Sequence, residues 1–219
     1  MAECEAVVFD LDGTLLDTLE DLTDSVNAAL AAYGCDGKTI DQIRAYVGNG
    51  IRNLMTKCVP GGESHPNFEN IFQSFKEHYK ENCRNKTKPY DGVMELLFTL
   101  KKKGKKLAIV SNKADFAVKE LNESYFGGLG IVAIGERENV ARKPSPDTIF
   151  EALRELSVSP ERAVYVGDSE VDILTAANAK MPCISVLWGF RDETLLRERG
   201  AKYFAKTAAE LLALIDTAF

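Results

Sequence analysis

The stretch AVVFDLDGTLLDT, residues Ala6 to Thr18, places two aspartates where an apolar run ends. The four residues Ala6–Phe9 are typical of a buried parallel strand, and Asp10 and Asp12 follow them directly. Like charges this close repel each other, and burial raises the free energy of an ionised carboxylate. The stretch therefore predicts a compensating positive charge contributed by another part of the chain.

Further buried strands recur along the chain and alternate with helical patterns from Gly92 onward. Leu107–Val110 and Ala163–Val166 are the strong candidates, and Ile131–Ile134 and Cys183–Leu187 are weaker ones. This alternation predicts an α/β fold, a Rossmann-like parallel sheet core flanked by helices. The predicted helices of this part are Gly92–Lys103, Ala114–Ser124, Pro146–Leu156, Asp172–Lys180 and Ala208–Ala218.

One segment, from about Leu19 to Arg84, shows only helical periodicity and interrupts the alternation. We interpret it as a small all-helical cap domain, residues 18–86, inserted into a catalytic core of residues 1–17 and 87–219. Ligands of parallel α/β sheets bind at the carboxyl ends of the strands. A cap that emerges there would cover the binding site.

Composition and charge exclude several classes of partner. The 219 residues are 45% hydrophobic and 27% charged, as in globular proteins. A net charge of −6 gives no general attraction for nucleic acid or an anionic membrane surface, and no apolar run or leader pattern indicates membrane insertion or export. Five scattered cysteines without a CxxC pair favour reduced thiols. We expect a cytoplasmic protein, monomeric or homodimeric.

Polar residues follow each of the three strong strand candidates at its carboxyl end, where parallel strands of one sheet converge, and a fourth polar cluster follows Ile131–Ile134 after a loop. Each cluster alone has a structural interpretation, because Asp-Gly is a common turn and Ser-Asn often caps a helix. Together they predict a site for a metal ion and a phosphate group. The clusters are Asp10 with Asp12, Ser111 with Asn112 and Lys113, Arg142 with Lys143, and Asp168 with Ser169 and Asp172.

Four motifs in this order resemble those of the haloacid dehalogenase superfamily of phosphotransferases. DLDGT at Asp10–Thr14 is similar to its nucleophile motif, and VSN at Val110–Asn112 to its phosphate-binding serine motif. KPSP at Lys143–Pro146 is similar to its lysine motif, and GDSEVD at Gly167–Asp172 to its acidic metal motif. The helical insert after the first motif resembles the cap of one subgroup of this superfamily.

The resemblance implies a role for each carboxylate. Asp10 would attack phosphorus as the nucleophile and form an aspartyl-phosphate. Asp12 would protonate the leaving oxygen and later take a proton from water. Lys143 would neutralise both the phosphoryl group and the nucleophile. The two adjacent aspartates would thus be tolerated because a cation and a lysine compensate them.

The implied cofactor is Mg²⁺, which prefers oxygen ligands. The side chains of Asp10 and Asp168 and the backbone carbonyl of Asp12 would face it. Asp172 would steady its water ligands or hold Lys143, with Ser169 beside it. Phosphate oxygens would be bound by Ser111, by the amide of Asn112 and by Thr14.

The predicted cap contains VGNGIRNLM at Val47–Met55, which resembles the cap loop of phosphoglycolate phosphatases. In that family the loop faces the active site, so Gly48, Asn49 and Gly50 are predicted substrate-binding residues. Arg52 or Lys113 could pair with a substrate carboxylate, or either could be a solvated surface charge. SNK at Ser111–Lys113, PYDGV at Pro89–Val93 and WGF at Trp188–Phe190 are also similar to that family.

The function that follows is a Mg²⁺-dependent phosphatase acting on a small phosphorylated metabolite, with 2-phosphoglycolate as the preferred substrate. Members of the superfamily with these motifs also act as pyrophosphatases, nucleotidases, sugar-phosphate phosphatases or phosphomutases. A non-catalytic binding protein on the same scaffold is a further alternative. No GxxxxGK[ST] occurs, which excludes a P-loop NTPase.

Overall fold

A computed structural model of the protein describes residues 4–219. Short 3₁₀ turns lie at Gly62–Ser64, Gly127–Leu129 and Pro160–Arg162. The strands are β1 (Ala6–Phe9), β2 (Leu16–Asp17), β3 (Lys88–Pro89), β4 (Lys106–Ala114), β5 (Val132–Glu136), β6 (Ala163–Gly167), β7 (Cys183–Val186) and β8 (Tyr203–Ala205). The helices are α1 (Leu19–Ala31), α2 (Ile40–Tyr46), α3 (Ile51–Cys58), α4 (Phe68–Asn82), α5 (Val93–Lys102), α6 (Asp115–Phe126), α7 (Asp147–Leu156), α8 (Glu170–Asn178), α9 (Glu193–Glu198) and α10 (Ala208–Ala218).

The described chain divides into two compact units. The core unit contains the residues up to Leu16 together with Pro89–Phe219, and the helical unit is Asp17–Lys88. The short strands β2 and β3 pair with each other where the chain passes from one unit to the other. In residues 4–219 no helix combines the length and the apolar character that crossing a membrane requires.

The core unit is built on a six-stranded parallel sheet with the order β5-β4-β1-β6-β7-β8. The predicted α/β fold is therefore confirmed. Both faces of the central strand β1 are covered, since Val7 and Val8 are fully buried. On the face of Val8, the sheet packs against Ile149 and Leu153 of α7. Burial on both faces explains why these strands are continuous apolar runs.

The register of the sheet brings the predicted polar clusters to one edge. Phe9 lies opposite Ile109 of β4 on one side and Val166 of β6 on the other. The amide of Asp10 donates a hydrogen bond to the carbonyl of Val166, with an N···O distance of 2.8 Å. The residues that follow Phe9, Ile109 and Val166 along the chain therefore begin at the same level of the sheet.

The structure differs from the predicted elements at several places, among them the two-residue strands β2 and β3, which were not predicted. Strand β4 continues to Ala114 rather than ending at Val110, with a register shift between these residues, so Ser111 lies within the strand and not at a helix start. Helix α9 and strand β8 were not predicted. Both are short and carry few buried apolar residues, Leu196 in α9 and Ala205 in β8, so neither gives a periodic signal.

The helical unit is held together by apolar contacts between α1 and α4. Val26 and Ala29 of α1 are fully buried, as is Phe75 of α4. The rings of Phe75 and Tyr79 stack with their centroids 5.6 Å apart, one helical turn from each other. These spacings place the apolar residues of each helix on one face.

A buried carboxylate also holds the end of the helical unit to its beginning. Asp21 in the first turn of α1 accepts hydrogen bonds from the amides of Lys86 and Thr87, at 3.0 and 2.8 Å. The side chain is almost fully buried. Lys86 and Thr87 lie outside the helices, so their amides do not bond within a helix, and the Asp21 carboxylate is the acceptor for both.

We expect Asp21→Ala to lower the free energy of unfolding by about 2–4 kcal/mol, because the substitution removes the carboxylate that accepts hydrogen bonds from two backbone amides and leaves those amides without this acceptor. Urea unfolding followed by circular dichroism measures the change. Asp24→Ala is the matched control on the same helix, since Asp24 is exposed and its ion pair is with the equally exposed side chain of Lys86. Equal destabilisation by the two variants would contradict the assignment.

Candidate active site

The amine of Lys143 is the centre of the site in the core unit. It lies 2.8 Å from Oδ1 of Asp10 and 2.7 Å from Oδ1 of Asp172. All three side chains are buried. Lys143 follows β5, Asp10 follows β1 and Asp172 lies in α8, so elements distant in sequence meet at one ammonium group. This is the positive charge that the paired aspartates of the first motif require.

Asp172 is fixed by the N-terminus of α8. Ser169 is the N-cap, and Oδ2 of Asp172 accepts hydrogen bonds from its amide and hydroxyl, at 3.1 and 2.6 Å. The other oxygen, Oδ1, accepts from the hydroxyl of Tyr165 at 2.9 Å as well as from Lys143. Of the two roles that the sequence left open for Asp172, the structure therefore shows the contact with Lys143.

The backbone of Lys143 is held by the side chain of Asn112. Oδ1 of Asn112 accepts from the Lys143 amide at 2.8 Å, and its Nδ2 donates to the Lys143 carbonyl at 3.0 Å. The sequence assigned Asn112 to phosphate binding through its own backbone amide. In the structure the side chain of Asn112, which lies in β4, binds the backbone of Lys143. It thereby fixes to this strand the loop that contains the lysine.

Asp168 is enclosed by the segment Trp188–Phe190. Its Oδ2 accepts a hydrogen bond from the amide of Phe190 at 2.6 Å, and Oδ1 accepts a long one from the hydroxyl of Thr14 at 3.4 Å. The indole of Trp188 donates to the Thr14 carbonyl at 3.0 Å. A Cβ at Gly189 would overlap the side chain of Asp168 and a backbone carbonyl, so this position requires glycine.

The loop after β1 has the same requirement. Gly13 adopts a positive φ of 85°, and a Cβ there would overlap the carboxylate of Asp168. Glycine in the DLDGT motif therefore serves the backbone turn and the close approach of an acidic side chain. Thr14, the next residue, is fully buried beside the same carboxylate.

Burial dominates the electrostatics of the three aspartates. It raises the pKa of Asp10 to about 7 against the opposing effect of Lys143. Burial, and then the charges of Asp172 and Asp10, raise the pKa of Asp168 well above its usual range. Burial acts on Asp172 too, but the charge of Lys143 and hydrogen bonds from Ser169 and Tyr165 leave the pKa of Asp172 below its ordinary value.

Lys143 shows the reverse balance. Burial alone would lower the pKa of its amine, but the charges of Asp10 and Asp172 outweigh this effect, and the pKa is raised. The amine is therefore a permanent cation near neutral pH. Both aspartates contact this amine, and the pKa of Asp172 is the lower of the two because Ser169 and Tyr165 also donate hydrogen bonds to its carboxylate.

The donor set fits a hard divalent cation. Carboxylate oxygens of Asp10, Asp168 and Asp172 lie within 4.8 Å of one another, and all three residues are buried. Three ionised carboxylates against the one ammonium of Lys143 leave two negative charges uncompensated. Each oxygen of Asp172 accepts two hydrogen bonds, at 2.6 to 3.1 Å and one of them from Lys143, whereas Oδ1 of Asp168 accepts a long one, at 3.4 Å, from Thr14. Asp10 and Asp168 are therefore the carboxylates best suited to ligate such an ion.

A second ion pair lies beside this cluster. The amine of Lys113 is 2.8 and 3.0 Å from the two carboxylate oxygens of Asp12. Ser111, two residues earlier in β4, is buried and its hydroxyl accepts from the Lys113 amide at 3.2 Å. The structure thus places Asp10, Asp12, Ser111 and Lys113 with Asp168 in one region of the core unit.

The other predicted ligands belong to the helical unit. Gly48 and Gly50 both adopt positive φ, 121° and 82°, just before α3 begins at Ile51, and Asn49 lies between them. The guanidinium of Arg52 forms ion pairs within this unit, with Glu63 at 2.9 Å and with Glu69. It also lies over the rings of Phe68 and Phe72, 5.1 and 5.4 Å from their centroids.

Two contributions to the core site were not predicted from the sequence. Tyr165 lies inside a buried strand, and its hydroxyl accepts from Lys143 at 3.1 Å and donates to Asp172. A tyrosine in an otherwise aliphatic strand is a usable signal, because a buried hydroxyl needs a partner. The amide of Phe190, by contrast, is a backbone group, so the residue type at this position does not indicate that the amide donates a hydrogen bond to Asp168.

Comparison with known proteins places the chain in a family. Residues 7–186 match the family model for haloacid dehalogenase-like hydrolases. Phosphoglycolate phosphatase 1 of Pseudomonas aeruginosa is 31% identical over 97% of this chain and 80% of its own length. N-acetylmuramic acid 6-phosphate phosphatase of the same species is 29% identical over 98% of this chain and 96% of its own length.

A solved structure agrees with these relatives. The crystal structure of a protein from Lactobacillus delbrueckii subsp. bulgaricus superposes with a TM-score of 0.91 and is 35% identical, covering 97% of this chain and 98% of that one. Residues 7–186, which match the family model, include all four motifs. The chain belongs to the haloacid dehalogenase-like hydrolase family.

Proposed function

We propose that the protein is a Mg²⁺-dependent phosphatase that hydrolyses a small phosphomonoester, 2-phosphoglycolate in the first instance, through an aspartyl-phosphate. The observation that carries the proposal is the environment of Asp10. Its carboxylate is buried at the end of β1, contacts the Lys143 amine at 2.8 Å and lies within reach of Asp168. A carboxylate held near a fixed cation is suited to attack an anionic phosphoryl group.

In the first step, an oxygen of Asp10 forms a bond to phosphorus while the bond from phosphorus to the ester oxygen breaks. The leaving oxygen takes the bonding electron pair and a proton from Asp12. Asp12 lies two residues from the nucleophile and is more exposed, 15% against 10% for the side chains. Lys143 neutralises charge on the transferring group throughout.

In the second step, water attacks the phosphorus of the aspartyl-phosphate. Asp12, now ionised, takes a proton from this water, and the bond between phosphorus and the Asp10 oxygen breaks. Inorganic phosphate leaves, Asp10 is again a carboxylate, and Asp12 is again protonated. We assign the phosphate oxygens to Ser111, Thr14 and the amide of Asn112.

Asp10, Asp168 and the backbone carbonyl of Asp12 would hold Mg²⁺. When bound, the ion supplies positive charge that keeps Asp10 ionised and offsets charge on phosphate oxygens. Ser169 and Asp172 act one layer further out, where they fix Lys143 and the N-terminus of α8.

The choice of substrate rests on the relatives. The phosphoglycolate phosphatase named above supports 2-phosphoglycolate, and the relative that acts on N-acetylmuramic acid 6-phosphate supports a sugar phosphate as the second candidate. We assign Gly48, Asn49, Gly50 and Arg52 of the helical unit to substrate recognition. All five cysteines carry reduced thiols within residues 4–219, which fits a cytoplasmic location.

We expect Asp10→Asn to abolish turnover, by roughly a factor of 10³ or more, because the amide cannot attack phosphorus. Phosphate release measures turnover, and circular dichroism shows whether the fold is kept. Asp17→Asn is the matched control, since Asp17 is a nearby aspartate outside the core unit. Retention of activity by Asp10→Asn would contradict the nucleophile assignment.

Metal binding depends on the space that Gly189 leaves for Asp168. We expect Gly189→Ala to weaken Mg²⁺ binding by roughly tenfold or more, because a methyl group displaces this carboxylate. Isothermal titration calorimetry without substrate gives the affinity. Gly128→Ala, where a Cβ meets no atom within 4 Å, should leave the affinity unchanged. Mg²⁺ affinity equal to wild type in Gly189→Ala would show that Asp168 is not a ligand.

Phosphate release from a panel of substrates tests specificity. The panel contains 2-phosphoglycolate, N-acetylmuramic acid 6-phosphate, glucose 6-phosphate, a nucleoside monophosphate and pyrophosphate. We expect the highest kcat/KM with 2-phosphoglycolate and complete loss of activity with EDTA, restored by Mg²⁺. Preference for a sugar phosphate would replace the proposed substrate while leaving the proposed reaction intact.

A further inference from the structure

Lys113 forms an ion pair with Asp12, and the proposed mechanism assigns this lysine no role. Its amine contacts both carboxylate oxygens of Asp12, at 2.8 and 3.0 Å, and the two side chains are 4% and 15% exposed. The lysine comes from strand β4 and the aspartate from the loop after β1, so the contact spans 101 positions of sequence. Both residues belong to the core unit.

The site therefore contains two separate ammonium groups with separate partners. Lys143 contacts Asp10 and Asp172, whereas Lys113 contacts Asp12. The two aspartates of the first motif, although only two residues apart, are thereby paired with different cations. A two-oxygen contact fixes the rotation of a carboxylate as well as its position.

We propose that Lys113 is a positioning residue for Asp12, which it holds in the orientation that delivers a proton to the leaving oxygen. This inference rests on the proposed function, because it assigns Asp12 to proton transfer. General acid catalysis requires the protonated carboxyl group of Asp12 within hydrogen-bond reach of the leaving atom. While one oxygen of this group carries the proton, the other can still accept a hydrogen bond from the Lys113 amine, so loss of that contact misdirects the group and slows the transfer.

This role differs from direct recognition of a substrate carboxylate, to which the sequence also assigned Lys113. The amine is almost completely buried and already contacts a carboxylate. Transfer of the amine to a substrate would remove one partner of a buried ion pair, which is strongly unfavourable. The contact with Asp12 is therefore the arrangement that the lysine maintains.

The test compares leaving groups that differ in their need for a proton. p-Nitrophenolate leaves readily without protonation, whereas the alkoxide of ethyl phosphate does not. In Lys113→Met, we expect kcat/KM to fall for both substrates, with the fall for ethyl phosphate larger by roughly tenfold or more. Ethyl phosphate lacks a carboxylate, so this difference cannot arise from lost recognition of one.

Three further variants complete the design. Lys113→Gln removes the charge but keeps a polar end group, and it carries the test if the methionine variant does not fold. Lys106→Met, on the same strand but with an exposed lysine, is the matched control and should leave the ratio of the two substrates unchanged. In an Asp12→Asn background, Lys113→Met should not change the ratio further, since the proton donor is already absent.

The inference is overturned if Lys113→Met slows both substrates equally, which indicates a structural role alone. It is also overturned if only the KM for 2-phosphoglycolate rises while ethyl phosphate hydrolysis is unaffected, which indicates a ligand for the substrate carboxylate. Wild-type protein that hydrolyses no phosphomonoester of either type would instead contradict the proposed function. The two failures are therefore distinguishable.

Discussion

The Lys143 ammonium, buried among carboxylates, is the interaction on which the rest of the core site depends. Asp10 and Asp172 lie within 2.8 Å of it, and neither could remain ionised in this buried position without a nearby cation. Removing one partner of such a buried pair costs about 3–5 kcal/mol in other proteins. The ion pairs of Lys143 therefore form only when the end of β1, the loop after β5 and the start of α8 lie close together. Asn112 fixes that loop to β4.

This constraint also explains why chemically identical side chains behave differently. Asp172, with hydrogen bonds to both oxygens, has a lowered pKa and is a fixed counter-charge for Lys143. Asp10 has a pKa near neutrality and Asp168 a raised one, so both gain most from an added divalent cation. Asp12 stands apart with its own lysine, Lys113. Four aspartates thus occupy distinct electrostatic environments.

Much of this arrangement could be predicted from the sequence, because local patterns encode it. Apolar runs predicted β1 and β6 correctly, and the family resemblance identified by the motifs is confirmed by the match over residues 7–186. The resemblance also implied that Lys143 lies near Asp10 and, as one of two roles, that Asp172 holds this lysine. Other contacts between distant side chains could not be predicted. The sequence does not indicate that Tyr165 meets Lys143, or that a peptide amide of Phe190 donates to Asp168. Such contacts depend on sheet register and on loop geometry, which appear only in the folded chain.

Arg52 and Lys113 illustrate the same limit for charged residues. Both had two interpretations from sequence, as a ligand of substrate or as a solvated charge, and in the structure both contact carboxylates of their own unit. Their environments differ, however. Arg52 is exposed and lies among Glu63, Glu69 and two phenylalanine rings, so its ion pairs exchange with solvent at low cost. Lys113 is buried, and its ion pair is correspondingly hard to break. An exposed cation such as Arg52 can therefore change partners at low cost, while a buried one such as Lys113 keeps the carboxylate that it contacts.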